Sequence, residues 1–195
     1  MFNNIPFLKR FSTPLYKNTI AFTGKKVLLM ISWLPVAIIF NEHVAYVGKI
    51  EGSSMRPTMN PSSTSLQDWV LLWKFNVKDN LKLDDVILFR SPTNPNKVLC
   101  KRIKAVQGDI VSTRHPYPRE TCAIPRNHLW AEGDNIHSID SNNFGPISKG
   151  LVIGKATRII WPPQRWGTDI SKGGRECRMS LITREYDDVE EVKTE

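Results

Sequence analysis

Glu51-Gly52-Ser53-Ser54-Met55-Arg56-Pro57-Thr58 decides how this chain is read, once it is set beside Lys101-Arg102 and Gly133-Asp134-Asn135. A serine on a glycine-preceded turn, a lysine in an apolar strand and a Gly-Asp-Asn loop together point to a Ser-Lys hydrolase. No one of the three suffices. A serine hydroxyl is a poor nucleophile and needs a neighbouring base that is unprotonated near neutral pH. Lysine serves only where burial disfavours its ammonium form, since its reference pKa is about 10.4.

The residues around Lys101 offer that burial. Val98 to Ala105 has strand composition and runs into the turn signal Gln107-Gly108-Asp109. Side chains alternate across a strand, so Leu99, Lys101, Ile103 and Ala105 share one face, and Cys100, Arg102 and Lys104 the other. Lys101 is then the one charged residue on the apolar face. Alone it would read as a snorkelling side chain at a strand edge. The Ser54 stretch makes it a candidate base.

With these boxes in order, the chain resembles the type I signal peptidases from about Ile50 to Trp166, and within them the mitochondrial inner membrane proteases. The resemblance rests on Ser54-Met55-Arg56-Pro57-Thr58, on Lys101-Arg102, and on Glu132-Gly133-Asp134-Asn135 through Ser138-Ile139-Asp140-Ser141-Asn142. Phe144-Gly145-Pro146 and Gly150-Leu151-Val152-Ile153-Gly154-Lys155-Ala156 continue it. It implies Ser54 as nucleophile and Lys101 as general base, with Ser138 orienting the Lys101 amine and Asp140 supporting the loop. Read from the residues alone, Ser138 and Asp140 equally suit a turn built on Asx and Ser hydrogen bonds.

The implied fold is mainly β: a signal-peptidase-like, β-rich catalytic domain preceded by one N-terminal transmembrane helix. The implied activity is removal of sorting peptides from precursor proteins delivered to the mitochondrial intermembrane space. The substrate would lie as an extended strand against the segments preceding Ser54 and Lys101. Subunit 1 of the inner membrane protease is the implied heterodimeric partner, and no cofactor or metal is called for.

Two departures from the family pattern stand out. Bacterial members commonly carry a serine, whose hydroxyl helps the oxyanion hole, where this chain has Gly52. Many relatives have Asp-Ser-Arg where this chain has Asp140-Ser141-Asn142. Asn142 can donate and accept hydrogen bonds but cannot form an ion pair with Asp140, and by the resemblance it marks the subunit 2 branch.

The chain of 195 residues has a net charge of +8; residues 181–195 contribute −4, leaving a body of +12. A basic body suits nucleic acid or an anionic membrane. Without an arginine-rich patch interleaved with aromatics, the inner membrane lipid is the expected partner and nucleic acid is not. Cys100, Cys122 and Cys177 show no CxxC spacing, and His43, His115, His128 and His137 are scattered. A Cys122–Cys177 disulfide is compatible with the sequence. His137 neighbours Ser138, so a Ser-His mechanism is the rival chemistry; a basic membrane scaffold is the non-enzymatic rival.

Residues 1–26 form a basic, acid-free segment with Lys9, Arg10, Lys17, Lys25 and Lys26, resembling mitochondrial targeting information and expected on the matrix side. Residues 27–48 are the expected membrane anchor: Val27 to Asn41 is uncharged, and extension through Gly48 supplies the roughly 20 residues a span needs. Pro35 predicts a kink or break. The catalytic domain is expected over 49–166, with strands at 69–75, 85–90, 98–106, 128–132 and 151–161, and Trp161 and Trp166 packed in its core. Residues 167–195 are a C-terminal extension with an acidic end expected to be disordered.

Overall fold

The computed structural model describes residues 14–61 and 67–175, with side chains from residue 26 onward. The basic residues before Pro14, Cys177 and the acidic end lie outside the described residues. The chain divides into two compact units at Asn41 and Glu42.

Helix α1, Pro14–His43, continues through Pro35, so the expected break does not end it. Its stretch Lys26–His43 is long and apolar enough to cross a membrane, and none of it is buried. Leu28, Met30, Trp33, Leu34 and Ile39 are exposed around it. Apolar surface on every side, without protein cover, suits lipid rather than a soluble core. The expected extension of the span through Gly48 does not hold. The helix stops at His43, and Ala45–Lys49 forms strand β1, where the aromatic Tyr46 and β-branched Val47 favour a ladder over a helix.

The second unit is built on β1 and β2 (Trp69–Trp73), β3 (Val86–Arg90), β4 (Val98–Ala105), β5 (Ile110–Ser112), β6 (Thr121–Ala123), β7 (His128–Glu132), β8 (Ile147–Ser148) and β9 (Val152–Trp161), with a short helix α2 at Ser141–Phe144. Seven strands form an antiparallel sheet in the order β1-β2-β9-β3-β4-β7-β8, while β5 and β6 pair separately. The strands expected from sequence correspond to β2, β3, β4, β7 and β9.

The centre of this sheet has core on both faces. Val86 and Leu88 of β3 join one apolar cluster with Met55, Met59 and Leu72; Ile87 and Phe89 join another with Ile103 and Leu129. In β4 the four residues from Lys101 to Lys104 are all buried. The face carrying Arg102 and Lys104 is therefore as enclosed as the face carrying Lys101. Those two cations are paired, Arg102 with Asp134 and Lys104 with Asp84, each at 2.7 Å.

Trp161 and Trp166 are exposed, at 49% and 74%, rather than in the core. Trp161 pairs with Trp69, an outward residue of β2, and directly opposed residues of an antiparallel pair share a face. The body also continues beyond Trp166. Gly167 N donates to Ile159 O at 2.9 Å, and Ile170 is buried in the first apolar cluster.

Candidate active site

Ser54 stands half-buried on a turn held from several directions. Met55 and Met59 anchor it in the core, with Arg56 N donating to Ser53 O at 3.1 Å and Met59 N to Met55 O at 2.9 Å. Asn60 closes the base: its Nδ2 donates to Ile50 O at 2.8 Å, while Asn60 and Asp68 exchange backbone-to-side-chain bonds at 2.7 Å each. Arg165 pairs with Asp68 and donates to Thr58 O at 2.6 Å. Gly52 has φ 92°, where glycine is strongly favoured, and a Cβ there would meet open space. Backbone conformation, not crowding, calls for glycine at this departure from the bacterial pattern.

Lys101 is 2% exposed. Among the described residues it forms no salt bridge, whereas Lys155 reaches Asp85 at 2.7 Å. Burial pushes the Lys101 amine below its ordinary pKa of 10.5; Cys100 and Asp140 oppose the shift, while Lys97 and Arg175 reinforce it. Burial pushes the neighbouring Cys100 thiol up to about 12, so it is not a thiolate nucleophile at neutral pH.

Gly133-Asp134-Asn135 joins the serine turn to the lysine strand. Asn135 donates from its backbone N to Ser54 O and from Nδ2 to Ser53 O, both at 3.0 Å. Asp134 accepts the Arg102 fork in two bonds, Nε to Oδ1 at 2.9 Å and Nη2 to Oδ2 at 2.7 Å, a charge-assisted pair sealed from water. Register sets Arg102 opposite Glu132, the last residue of β7, and Gly133 follows it directly. A Cβ on Gly133 would stand 2.1 Å from Ser138 Oγ and 2.5 Å from Ser54 O. Only a residue without a side chain lets these segments meet.

Ser138 Oγ is buried without a hydrogen-bond partner among the described residues. Asp140 is better tied. Its Oδ1 accepts from Asn142 N at 3.1 Å, capping α2, and from Asn142 Nδ2 at 3.0 Å. Its Oδ2 accepts from Gly133 N at 3.0 Å and Arg175 Nη2 at 2.9 Å. Asp140 thus builds a local turn and also supports the glycine around which the site closes.

The family model for signal peptidase, peptidase S26, matches residues 23–116. Mitochondrial inner membrane protease subunit 2 of Saccharomyces cerevisiae is 54% identical over 158 residues, covering 78% of this chain and 89% of the relative. The chain belongs to the signal peptidase family, in the subunit 2 branch of the mitochondrial inner membrane proteases. The Schizosaccharomyces pombe subunit 2 is 42% identical over 180 residues, covering 90% of this chain and 94% of the relative. Subunit 1 from the same organism is 30% identical over 148 residues, covering 70% of this chain and 92% of its own length.

As a signal peptidase the chain is a serine protease, with a β-rich body and one apolar N-terminal helix. Arg175, which binds Asp140, was not singled out from sequence; Asn142, which was, donates from Nδ2 to Glu132 Oε1 at 3.0 Å. Gly173-Gly174 before Arg175 is the available signal, a glycine pair ending a stretch without other motif character. His137 is exposed on the rim of a cavity of about 890 Å3 that also includes Arg114, Ile136, Ser138 and Arg175. Among the described residues no cluster of three or more His, Cys, Asp or Glu side chains could hold a metal.

Proposed function

We propose that this signal peptidase cleaves its substrates with Ser54 as nucleophile and Lys101 as general base. The observation supporting this most directly is one loop bonded to both sides: Asn135 holds the Ser53 and Ser54 carbonyls, and Asp134 holds Arg102 beside Lys101. Neutral Lys101 takes the Ser54 hydroxyl proton as Oγ attacks the scissile carbonyl. The resulting ammonium returns that proton to the leaving amine as the peptide C–N bond breaks, leaving an acyl-enzyme. Lys101 then deprotonates water, which hydrolyses the ester and frees Ser54. Ser138 Oγ, buried beside Gly133 and without a partner among the described residues, is suited to accept a hydrogen bond from the lysine and aim it. The Ser54 backbone amide is the first donor for the oxyanion.

The substrate strand has a place to pair. β3 covers one edge of β4 from Val98 to Arg102, but β7 meets the other edge only from Arg102 onward. Among the described residues no strand pairs Val98 to Cys100 on that side, which suits the addition of an extended peptide there. The substrates are precursors delivered to the intermembrane space. The partner is subunit 1 of the protease, and α1 is a single-pass anchor in the inner membrane. The lysine-rich amino terminus lies in the matrix and the catalytic body in the intermembrane space.

Replacing Ser54 with Ala in mitochondria tests this reading. The variant protein should remain folded and membrane-bound while precursors keep their amino-terminal extensions. Normal processing would instead favour a scaffold whose serine box is only a turn.

A further inference from the structure

Beyond Trp166 the chain lays a short strap across all three boxes of the site. Arg102 Nη1, on the guanidinium whose other nitrogens hold Asp134, donates to Ile170 O at 2.8 Å and Ser171 O at 3.0 Å. Gly173 and Gly174 have φ 126° and 94°. A Cβ on Gly173 would stand 3.0 Å from Thr58 Oγ1; one on Gly174 would stand 2.6 Å from Arg102 Nε and 2.9 Å from Asp134 Oδ1. Arg175 then donates from Nε to Gly133 O at 2.9 Å and from Nη2 to Asp140 Oδ2 at 2.9 Å. Glu132 Oε2 lies 3.9 Å from the same Nη2.

We propose that Arg175 is a positioning residue for cleavage, and that residues 170–175 form the strap that locks the serine turn, the lysine strand and the Gly133 loop in register. The proposal rests on the Ser54–Lys101 reading and deepens it. Asp140 is 1% exposed, and Asn142 beside it brings no charge. Arg175 supplies the missing cation from a different part of the chain. Its planar fork reaches a carbonyl and a carboxylate at once, which a single ammonium does less well. Gly133 is bonded on both sides, its N–H by Asp140 and its carbonyl by Arg175, and around it Ser54 O and Ser138 converge.

Charge adds a second route. The groups acting on Lys101 are Cys100 beside it on β4, Lys97 just before that strand, Asp140 capping α2, and Arg175 on the strap. Arg175 counters Asp140 there and favours the neutral amine.

The experiment compares Arg175→Gln, Arg175→Lys and Gly174→Ala in the full-length, membrane-embedded enzyme, with kcat normalised to folded protein. Arg175→Gln should lower kcat roughly 10- to 100-fold, the scale of a small misplacement at a reacting centre. The ascending limb of its pH profile should also move to higher pH, because a cation that disfavours lysine protonation is gone. Arg175→Lys keeps the charge but loses the fork, so its limb should stay in place with kcat reduced. Gly174→Ala should reduce kcat by forcing the strap off Arg102. Wild-type kcat and limb in Arg175→Gln would overturn the proposal. So would a loss of folded protein whose remainder works normally. Should Arg175→Gln fail to fold, an undiminished kcat in Arg175→Lys overturns it instead. Lys101→Arg run in parallel separates the two readings: activity there sinks the dyad, while an inactive Lys101→Arg beside unaffected Arg175 variants sinks only the strap.

Discussion

Asn135 donates its backbone N–H to the Ser54 carbonyl at 3.0 Å, fastening a loop 81 positions downstream onto the turn that carries the serine. Its side chain repeats the attachment one residue earlier, on Ser53 O. The position of Ser54 thus depends on Asn135 twice.

Asn135→Ala keeps the backbone bond and removes the side-chain one. Loss of one partly exposed hydrogen bond should cost about 1 kcal/mol of stability. The expected effect on kcat/KM is larger, roughly tenfold, because the turn can now drift relative to Lys101. Thermal melting and peptide-cleavage kinetics on the same preparation check both numbers. A melting loss with no kinetic loss would mean the side chain only stabilises the turn.

Much of this arrangement was legible in the sequence. The strands β2, β3, β4, β7 and β9 have clear composition and turn boundaries, and the Gly133-Asp134-Asn135 loop quoted from sequence bonds both the serine turn and Arg102. Strand β1 was hidden because Ala45 to Lys49 follows an apolar helix directly, and hydropathy alone does not separate a short strand from the end of a span. β5, β6 and β8 have two or three residues each, too few for periodicity. Arg175 was hidden for a different reason. Many relatives have an arginine two residues after this aspartate, where this chain has Asn142; here the cation on Asp140 comes 35 residues later through a strap whose path depends on tertiary contacts.

Gly133→Ala is expected to disable the enzyme. The new methyl would press on Ser138 and on the Ser54 backbone at once. Overpacking of this kind costs about 1–3 kcal/mol, and relief requires moving the groups proposed for catalysis. Cleavage near wild-type rate in a folded variant would show that the three segments have slack.

Asn142→Asp and Asn142→Ser should differ. Asn142 Nδ2 donates to both Glu132 Oε1 and Asp140 Oδ1. Aspartate would replace a donor by a third carboxylate in a buried cluster, where an uncompensated charge costs about 3–5 kcal/mol. Serine adds no charge and should be milder. Comparison of melting temperatures and activities decides it, and equal behaviour of the two would place residue 142 outside the electrostatics of the site.

The membrane orientation is checked by protease added to mitochondria with ruptured outer and intact inner membranes. The body after α1 should be digested and the lysine-rich amino terminus spared. A protected body would reverse the orientation.

The pH dependence of kcat/KM tests the Ser54–Lys101 mechanism most directly. Cleavage needs the neutral amine, so activity should be low where Lys101 is protonated and rise as its proton leaves. Burial lowers that pKa below 10.5, so the midpoint of the ascending limb should lie below the ordinary lysine value. The limb should persist in His137→Ala, while Lys101→Arg, whose guanidinium cannot give up its proton, should be inactive at every pH. An active Lys101→Arg enzyme beside an inactive His137→Ala enzyme would contradict the account and assign the proton transfer to a serine-histidine pair.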